Sequence, residues 1–254
     1  MSTLQLRPKL MASGLHLAFS ALLACVAAVM VFGVWYRSPY GQLSGATDLF
    51  SLMVGVDIAL GPLATLVVFS TTKARKKMVF DIAVIAAVQL AALGYGVWTV
   101  YVARPVHMVF EYDRMRVIHA VEIPEDFLDK TPKGIDALPL WGPTPLGLRP
   151  FKDNAEQTSA VLDAIGGVQM STRPELWIAY DQAAPAVLKA AKPVSQLIAK
   201  HPQFADRVQR ALADAKHSVE DTVYLPLASR ANFGTALLDA TTAHPFAVLP
   251  LDSF

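Results

Sequence analysis

The sequence has little of what marks a secreted disulfide scaffold or an ordinary soluble protein. Its 254 residues include a single cysteine, Cys25, so an intramolecular disulfide is impossible. Only 17% of the residues are charged, whereas a soluble domain has about 25%. The net charge of +1 argues against a nucleic-acid partner, because such proteins concentrate Lys and Arg on one face.

The sequence also lacks the short motifs that carry chemistry. It contains no P-loop, GxGxxG, GxSxG, HExxH or CxxC pattern, and its six histidines have no metal-ligand spacing. His107 and His119, with Glu111 or Glu122, could form a metal site across a hairpin, but two surface histidines on a short sheet are the simpler interpretation. We therefore predict no catalytic residue, no cofactor and no metal, and we expect that the protein is not an enzyme.

Three long apolar blocks dominate the first 103 residues, at about 14–34, 49–69 and 80–103. Each block is long enough to cross a hydrocarbon core of about 30 Å at about 1.5 Å per residue. The first block exceeds the apolar core of a signal peptide and ends without a small-residue cleavage site, so we expect it to be retained. These features predict a membrane domain of three transmembrane helices over residues 1–103.

The basic residues of the short loops predict the orientation. Arg7 and Lys9 precede the first span, and four basic residues join the second span to the third, whereas Arg37 alone lies between the first and second. The positive-inside rule places the side with more Lys and Arg in the cytoplasm. We predict an inner-membrane protein with a cytoplasmic N-terminus and a periplasmic C-terminal domain. The predicted topology-setting residues of the second loop are Lys73, Arg75, Lys76 and Lys77.

Aromatic residues agree with this orientation, because Trp and Tyr favour the membrane–water interface. Such residues lie just after the first span and near the end of the third, which is where an aromatic belt on the outer side is expected: Trp35, Tyr36, Tyr40, Trp98 and Tyr101.

Residues 104–254 have the mixed composition of a soluble α+β domain. Alternating apolar residues predict a β-hairpin over 104–123 with its turn at Asp113 and Arg114. The Pro- and Gly-rich residues 132–151 predict a loop without regular structure. Further predictions are helices at 153–165, 182–200 with a break at Pro193, and 202–218, a strand at 175–180, and a second hairpin around 235–250. The predicted fold class is a membrane α-helical domain followed by a C-terminal α+β domain that begins with a hairpin.

Polar residues are rare inside the spans. Asp81 follows the basic loop, so we expect it to pair with Lys76 or Lys77 at the interface. Gln89 lies in mid-span and requires a hydrogen-bond partner on a facing helix. Small residues recur every four positions in the first and third spans, which favours close helix packing but also reflects the many alanines: Ser20, Ala24 and Ala28, then Ala83, Ala87 and Ala91.

Asp57 is the most informative of these residues, because a central Asp costs roughly 2.5–3.5 kcal/mol on insertion scales. Pro62 lacks an N–H group and so leaves the carbonyl of Ile58 free next to that acid. One interpretation is functional: a docking point for a polar or cationic group of another helix, or a proton relay. The other is structural: an internal link to Gln89 or to the first span. The sequence leaves both open.

Two blocks of the sequence resemble a known family. "VDIALGPLATLVVF" (56–69), a Lys-rich loop, and "DIAVIAAVQLAALGYGVWTVYVARPVHMVFEYDRMRVI" (81–118) resemble the TfpX/TfpZ family of type IV pilin accessory proteins. The resemblance implies an inner-membrane protein that supports the assembly of particular type IV pilins, and it implies no enzymatic activity.

Our hypothesis from the sequence is a chaperone-like accessory factor whose partners are a type IV pilin and the pilus assembly machinery. The pilin's membrane helix would dock at Asp57, Gly61, Pro62 and Gln89, and the exported domain would contact the pilin's globular head. The alternative is a membrane enzyme or transporter component that uses Asp57 for proton handling.

Overall fold

The computed structural model describes residues 3–70 and 72–254. Its contacts divide the chain into two units. The membrane unit consists of the described residues up to Val34 together with Ala46–Tyr101. The outer unit consists of Trp35–Gly45 together with Val102–Phe254, so it includes the connection between the first two spans.

Three long apolar helices are present, as the sequence predicts. Helix α1 covers Thr3–Met30 and continues as a π-helical turn over Val31–Trp35. After the short α2, Tyr40–Leu43, come α3, Ala46–Val68, and α4, Arg75–Val102. The stretches long and apolar enough to cross a membrane are Leu6–Trp35, Ala46–Val68 and Arg75–Val102.

The basic loop between α3 and α4 corrects one predicted ion pair. Asp81 pairs with Lys73, at 2.8 Å between carboxylate and ammonium, and not with Lys76 or Lys77. Lys73 also donates to the carbonyl of Val68 at 3.1 Å, at the end of α3. The loop therefore folds back so that one ammonium satisfies both a free helix-terminal carbonyl and the carboxylate of Asp81. The topological role of the four basic residues stays a prediction.

The outer unit is built on one sheet of eight strands. The strands are β1, Pro105–Glu111; β2, Arg114–His119; β3, Thr144–Leu148; β4, Trp177–Ala179; β5, Lys192–Pro193; β6, Thr222–Ala228; β7, Phe233–Asp239; and β8, Pro245–Leu249. Their order is β4-β3-β1-β2-β6-β7-β8, and β5 pairs with β6. The helices are α5, Asn154–Ile165; α6, Tyr180–Ala190; α7, Val194–Lys200; and α8, Ala205–Ala215.

Most predicted elements of this unit are confirmed. Asp153 caps α5, because its carboxylate accepts the backbone N–H of Glu156 at 2.7 Å. The predicted break at Pro193 separates α6 from α7. The β1–β2 hairpin is present, but its turn lies at Tyr112 and Asp113, because Arg114 already pairs with Glu111. The second hairpin is β7–β8.

The prediction that residues 132–151 lack regular structure is wrong. β3 lies within them and pairs in parallel with β1, with Met108 opposite Pro145. Its other edge pairs antiparallel with β4. Pro145 lacks a backbone N–H and so removes only one hydrogen bond from the ladder. β1 and β4, which flank β3, form the remaining bonds. That pairing depends on residues far apart in the sequence.

The core of the outer unit covers both faces of the sheet, because successive side chains of a strand point to opposite faces. On one face Met108 and Phe110 of β1 pack with α6 and with Leu43, which is 0% exposed. On the other face Val109 packs with Trp177. A third cluster joins α7 and α8 to β6 and β7. Leu43 thus anchors the connection between the first two spans in the outer unit.

His107 and His119 are buried, so the interpretation as surface histidines is wrong. Each already has partners: His119 contacts Glu122 at 3.0 Å and the hydroxyl of Ser44 at 2.7 Å. His107 contacts the hydroxyl of Thr144 at 2.6 Å and donates to the carbonyl of Ala137 at 3.1 Å. Over residues 3–70 and 72–254, no group of three His, Cys, Asp or Glu residues could hold a metal ion.

His107 makes the outer unit sensitive to acid. Burial lowers the pKa of its imidazole to about 4, partly opposed by the bond to the carbonyl of Ala137. Below about pH 6.5 His107 is protonated in the unfolded chain but stays neutral in the folded protein. The free energy of unfolding therefore falls as the pH drops from 6.5 towards 4. We expect a loss of about 2–3 kcal/mol by pH 4.5 from this residue, measured by denaturant unfolding of the full-length protein in detergent.

The matched variant is His107→Gln, whose amide can still bond to both partners but does not titrate. It should lose correspondingly less stability between pH 7 and pH 4.5. Equal acid sensitivity of the two proteins would contradict the assignment.

Candidate helix-docking site in the membrane unit

The four predicted docking residues lie around the middle of α3 and α4, where polar groups of three helices meet. Pro62 is buried in α3, and its carbonyl accepts the hydroxyl of Ser13 on α1 at 2.8 Å. Thr65, one turn further along, is also buried and contacts Nδ1 of His16 at 2.5 Å. α1 and α3 are therefore joined by two polar contacts within the apolar region.

Gln89 connects this pair of helices to α4. Its Oε1 contacts Nε2 of His16 at 2.5 Å, and its Nε2 donates to the backbone carbonyl of Asp57 at 2.9 Å. The predicted need of Gln89 for a partner on a facing helix is met by both α1 and α3. Since the hydrocarbon region offers no water, such bonds remove the cost of buried polar groups.

Gly61 allows this arrangement. A methyl group at position 61 would overlap the carboxamide of Gln89. The glycine therefore lets the side chain of Gln89 lie against the backbone of α3, as small residues do where membrane helices approach closely. Of the predicted docking set, Gly61, Pro62 and Gln89 are engaged in contacts among the protein's own helices.

Asp57 differs from those three residues. Only its backbone carbonyl is used; among the described residues, no side chain or backbone group bonds to its carboxylate. The residue lines a small cavity of about 30 Å³ together with His16 and Gln89, a space about the size of one water molecule. The carboxylate is thus held beside the polar contacts without being part of them.

Asp57 also lines a groove of about 220 Å³ between α3 and α4. The other lining side chains are apolar: Leu49, Leu52, Met53, Val56 and Ala92. Leu52 and Val56 are exposed in the structure, so this face of α3 is open to lipid or to another helix. A lone carboxylate beside an apolar groove suits a helix that brings a cationic or hydrogen-donating group to the same depth.

Sequence reasoning missed Ser13, His16 and Thr65 as part of this site. The signal for His16 is that it is the only titratable side chain besides Cys25 in the first apolar block, residues 14–34. The small residues that recur every four positions differ in burial between the two helices. On α4 they are exposed (Ala83, Ala87 and Ala91), whereas Ala24 on α1 is buried.

Comparison with known proteins identifies the family. Residues 4–45 match the model of a family described as "Fimbrial assembly protein FimB". The "Fimbrial assembly protein, serogroup I" of Dichelobacter nodosus is 35% identical over 218 residues, which is 85% of each chain. The chain belongs to the fimbrial assembly protein family.

Two other fimbrial assembly proteins of Dichelobacter nodosus are similar. The serogroup E1 protein is 34% identical over 218 residues, 85% of each chain. The protein of serogroups C1 and C2 is 37% identical over 121 residues, 48% of this chain and 90% of its own length. No solved structure matches the chain significantly. The segment of this chain that matches the family model, residues 4–45, includes Ser13 and His16 of α1. It also includes the connection between the first two spans, which ends at Gly45.

Proposed function

We propose that this protein is a non-catalytic assembly factor of type IV pili that holds a pilin's membrane helix in the groove beside Asp57. Membership of the fimbrial assembly family supports a role in building fimbriae, and the resemblance to the TfpX/TfpZ proteins supports pilin as the client. The observation that carries the proposal is the carboxylate of Asp57, which has no partner in the described residues and lies at the edge of an apolar groove.

The energetics favour a docked helix over lipid at this face. An Asp in mid-span costs roughly 2.5–3.5 kcal/mol, and contact with lipid tails recovers none of it. A helix with a cation or an N–H donor at that depth recovers part of the cost through a charge-assisted bond. Helix association inside a membrane depends on close packing and interhelical bonds, and the groove with Asp57 supplies both kinds of contact.

The predicted membrane topology of the chain suits a pilin as its partner. Before assembly, a type IV pilin is held in the membrane by one hydrophobic helix, with its globular head outside. On the orientation predicted from the basic loops, the outer unit faces the periplasm, on the same side as that head. We propose that the groove beside Asp57 holds the helix and that the outer unit selects among heads.

The outer unit has a cleft suited to that second contact. It has a volume of about 460 Å³ and lies between β8 and the start of β3. β8 is an edge strand of the sheet, and Phe246 and Val248 line the cleft together with Tyr40 and Met108. Such an edge offers backbone groups and side-chain pockets to an extended segment.

Photo-cross-linking in cells tests the membrane contact. A photoreactive residue at Val56 or Leu60, both exposed on α3, should capture pilin. The matched control is Val26, which is exposed on α1 and does not line the groove, so it should capture little pilin. Capture of other proteins but never of pilin from positions 56 and 60 would contradict the proposal.

A further inference from the structure

A short loop of the outer unit exposes three large apolar side chains within four residues. Leu138, Leu140 and Trp141 are 37%, 48% and 54% exposed. Contiguous exposed apolar side chains of this kind mark a surface that meets something other than water. Single exposed leucines are common on soluble domains, but an exposed tryptophan beside two leucines calls for an explanation.

The loop is held beside the end of the third span by Arg104. The Nε and Nη2 atoms of this arginine donate to the carbonyls of Pro139 and Leu138, at 3.2 and 2.8 Å. Helix α4 ends at Val102, two residues earlier. Two residues of extended chain reach at most about 7 Å, which is about the thickness of one headgroup layer.

The loop is also held beside the end of the first span. The guanidinium of Arg37 lies over the ring of Trp141, 5.2 Å from its centroid. The first span ends at Trp35, again two residues earlier. Trp35 and Val102 both belong to the outer unit, so the contacts of the loop and the last residues of the two spans lie within one unit.

Two further contacts make this arrangement firm. The hydroxyl of Tyr36 donates to the carbonyl of Ala103 at 2.5 Å, which joins the segments that carry the two arginines. Gly142 lies against the backbone of β1, where a Cβ atom would come within 2.8 Å of the carbonyl oxygen of Val106. The loop is therefore packed in place by its own domain and presents its apolar side chains outward.

We propose that residues 138–141 form an interfacial anchor that inserts into the leaflet at which the first and third spans end, with lipid as its partner. Trp favours this zone because its ring is apolar and its N–H is polar. Arg37 is exposed, and its guanidinium complements lipid phosphates at the same depth, whereas the buried Arg104 holds the loop in place. Lipid is favoured over a protein partner because both tethering segments begin within two residues of the end of a candidate span.

Spin labelling of the full-length protein in liposomes tests the anchor. In a Cys25→Ala background, Leu140→Cys and Leu138→Cys place a label on the loop, and Gln209→Cys places one on the exposed face of α8. Accessibility to oxygen, which concentrates in lipid, is measured against accessibility to a water-soluble nickel chelate. We expect the ratio to be several-fold higher at 140 and 138 than at 209.

The liposomes contain no pilin, so the result depends on lipid alone and is independent of the proposed function. A label at 140 and 138 that is as accessible to the nickel chelate as the label at 209 would overturn the anchor. That outcome would instead assign the exposed loop to a protein partner.

Discussion

Replacing Asp57 with asparagine is expected to abolish piliation while the protein accumulates in the membrane at its normal level. Asparagine keeps the size of the side chain, and the backbone carbonyl of residue 57 still accepts the bond from Gln89. The variant therefore removes the carboxylate beside the groove and keeps the contact between α3 and α4. Removing one partner of a buried charged pair costs about 2–5 kcal/mol, so binding of the pilin helix should weaken by at least about thirtyfold.

Three measurements check this result: pilus number by electron microscopy, cross-linking yield to pilin from position 56, and protein level in membranes. Asp57→Glu is the control that keeps the charge, and it should retain part of the piliation. If Asp57→Asn leaves piliation intact while Asp57→Leu removes the protein from membranes, the role of Asp57 is structural.

The Asp57 variants and a deletion strain also address the rival function, in which Asp57 handles protons in an enzyme or transporter. His16 lines the same small cavity as Asp57, so a path for protons there is a concrete alternative. Intact pili in the deletion strain, together with loss of a transport or modification activity, would favour that alternative.

Replacing Gly61 with valine is expected to have the largest effect on the membrane unit. The new side chain would occupy the space of the Gln89 carboxamide. Gln89 would then lose its bonds to His16 and to the carbonyl of Asp57, each worth about 0.6–2 kcal/mol in a membrane protein. If Gln89 instead keeps its bonds, the overlap costs about 1–3 kcal/mol as overpacking. We expect a clearly lower melting temperature in detergent and reduced accumulation in cells.

Gly55 provides the matched control in the same helix. A Cβ atom at position 55 meets nothing within 4 Å, so Gly55→Val makes the same chemical change without the overlap. It should melt close to the unaltered protein. Equal melting temperatures for Gly61→Val and Gly55→Val would show that the contact between Gly61 and Gln89 does not matter for stability.

The candidate site shows how far the sequence alone reaches. Asp57 stands out by sequence because a carboxylate is rare in an apolar run, and Gln89 stands out for the same reason. Their different roles depend on which groups of the other helices they reach. Gln89 bonds to His16 and to the carbonyl of Asp57, whereas the Asp57 carboxylate has no partner among the described residues and the residue lines the groove. Periodicity within one helix does not specify the partner on another.

The outer unit shows the same limit. The helix that follows Asp153 and the break at Pro193 depend on local effects of one or two residues on the backbone, and the sequence predicts both. Strand β3 was not, because Pro145 and Gly147 argue against a strand and only the edges of β1 and β4 make one there. The pairing of Asp81 with Lys73 likewise depends on how the loop folds back.

The sequence by itself determined the three apolar helices and the α+β class of the remainder, because hydrophobic length and capping are properties of contiguous residues. Only the tertiary structure decided that Leu43 and its neighbours belong to the outer unit, that His16 joins Thr65 to Gln89, and that Trp141 lies beside Arg37. The physical reason is that each of these contacts joins residues distant in sequence, so packing and not local preference selects them.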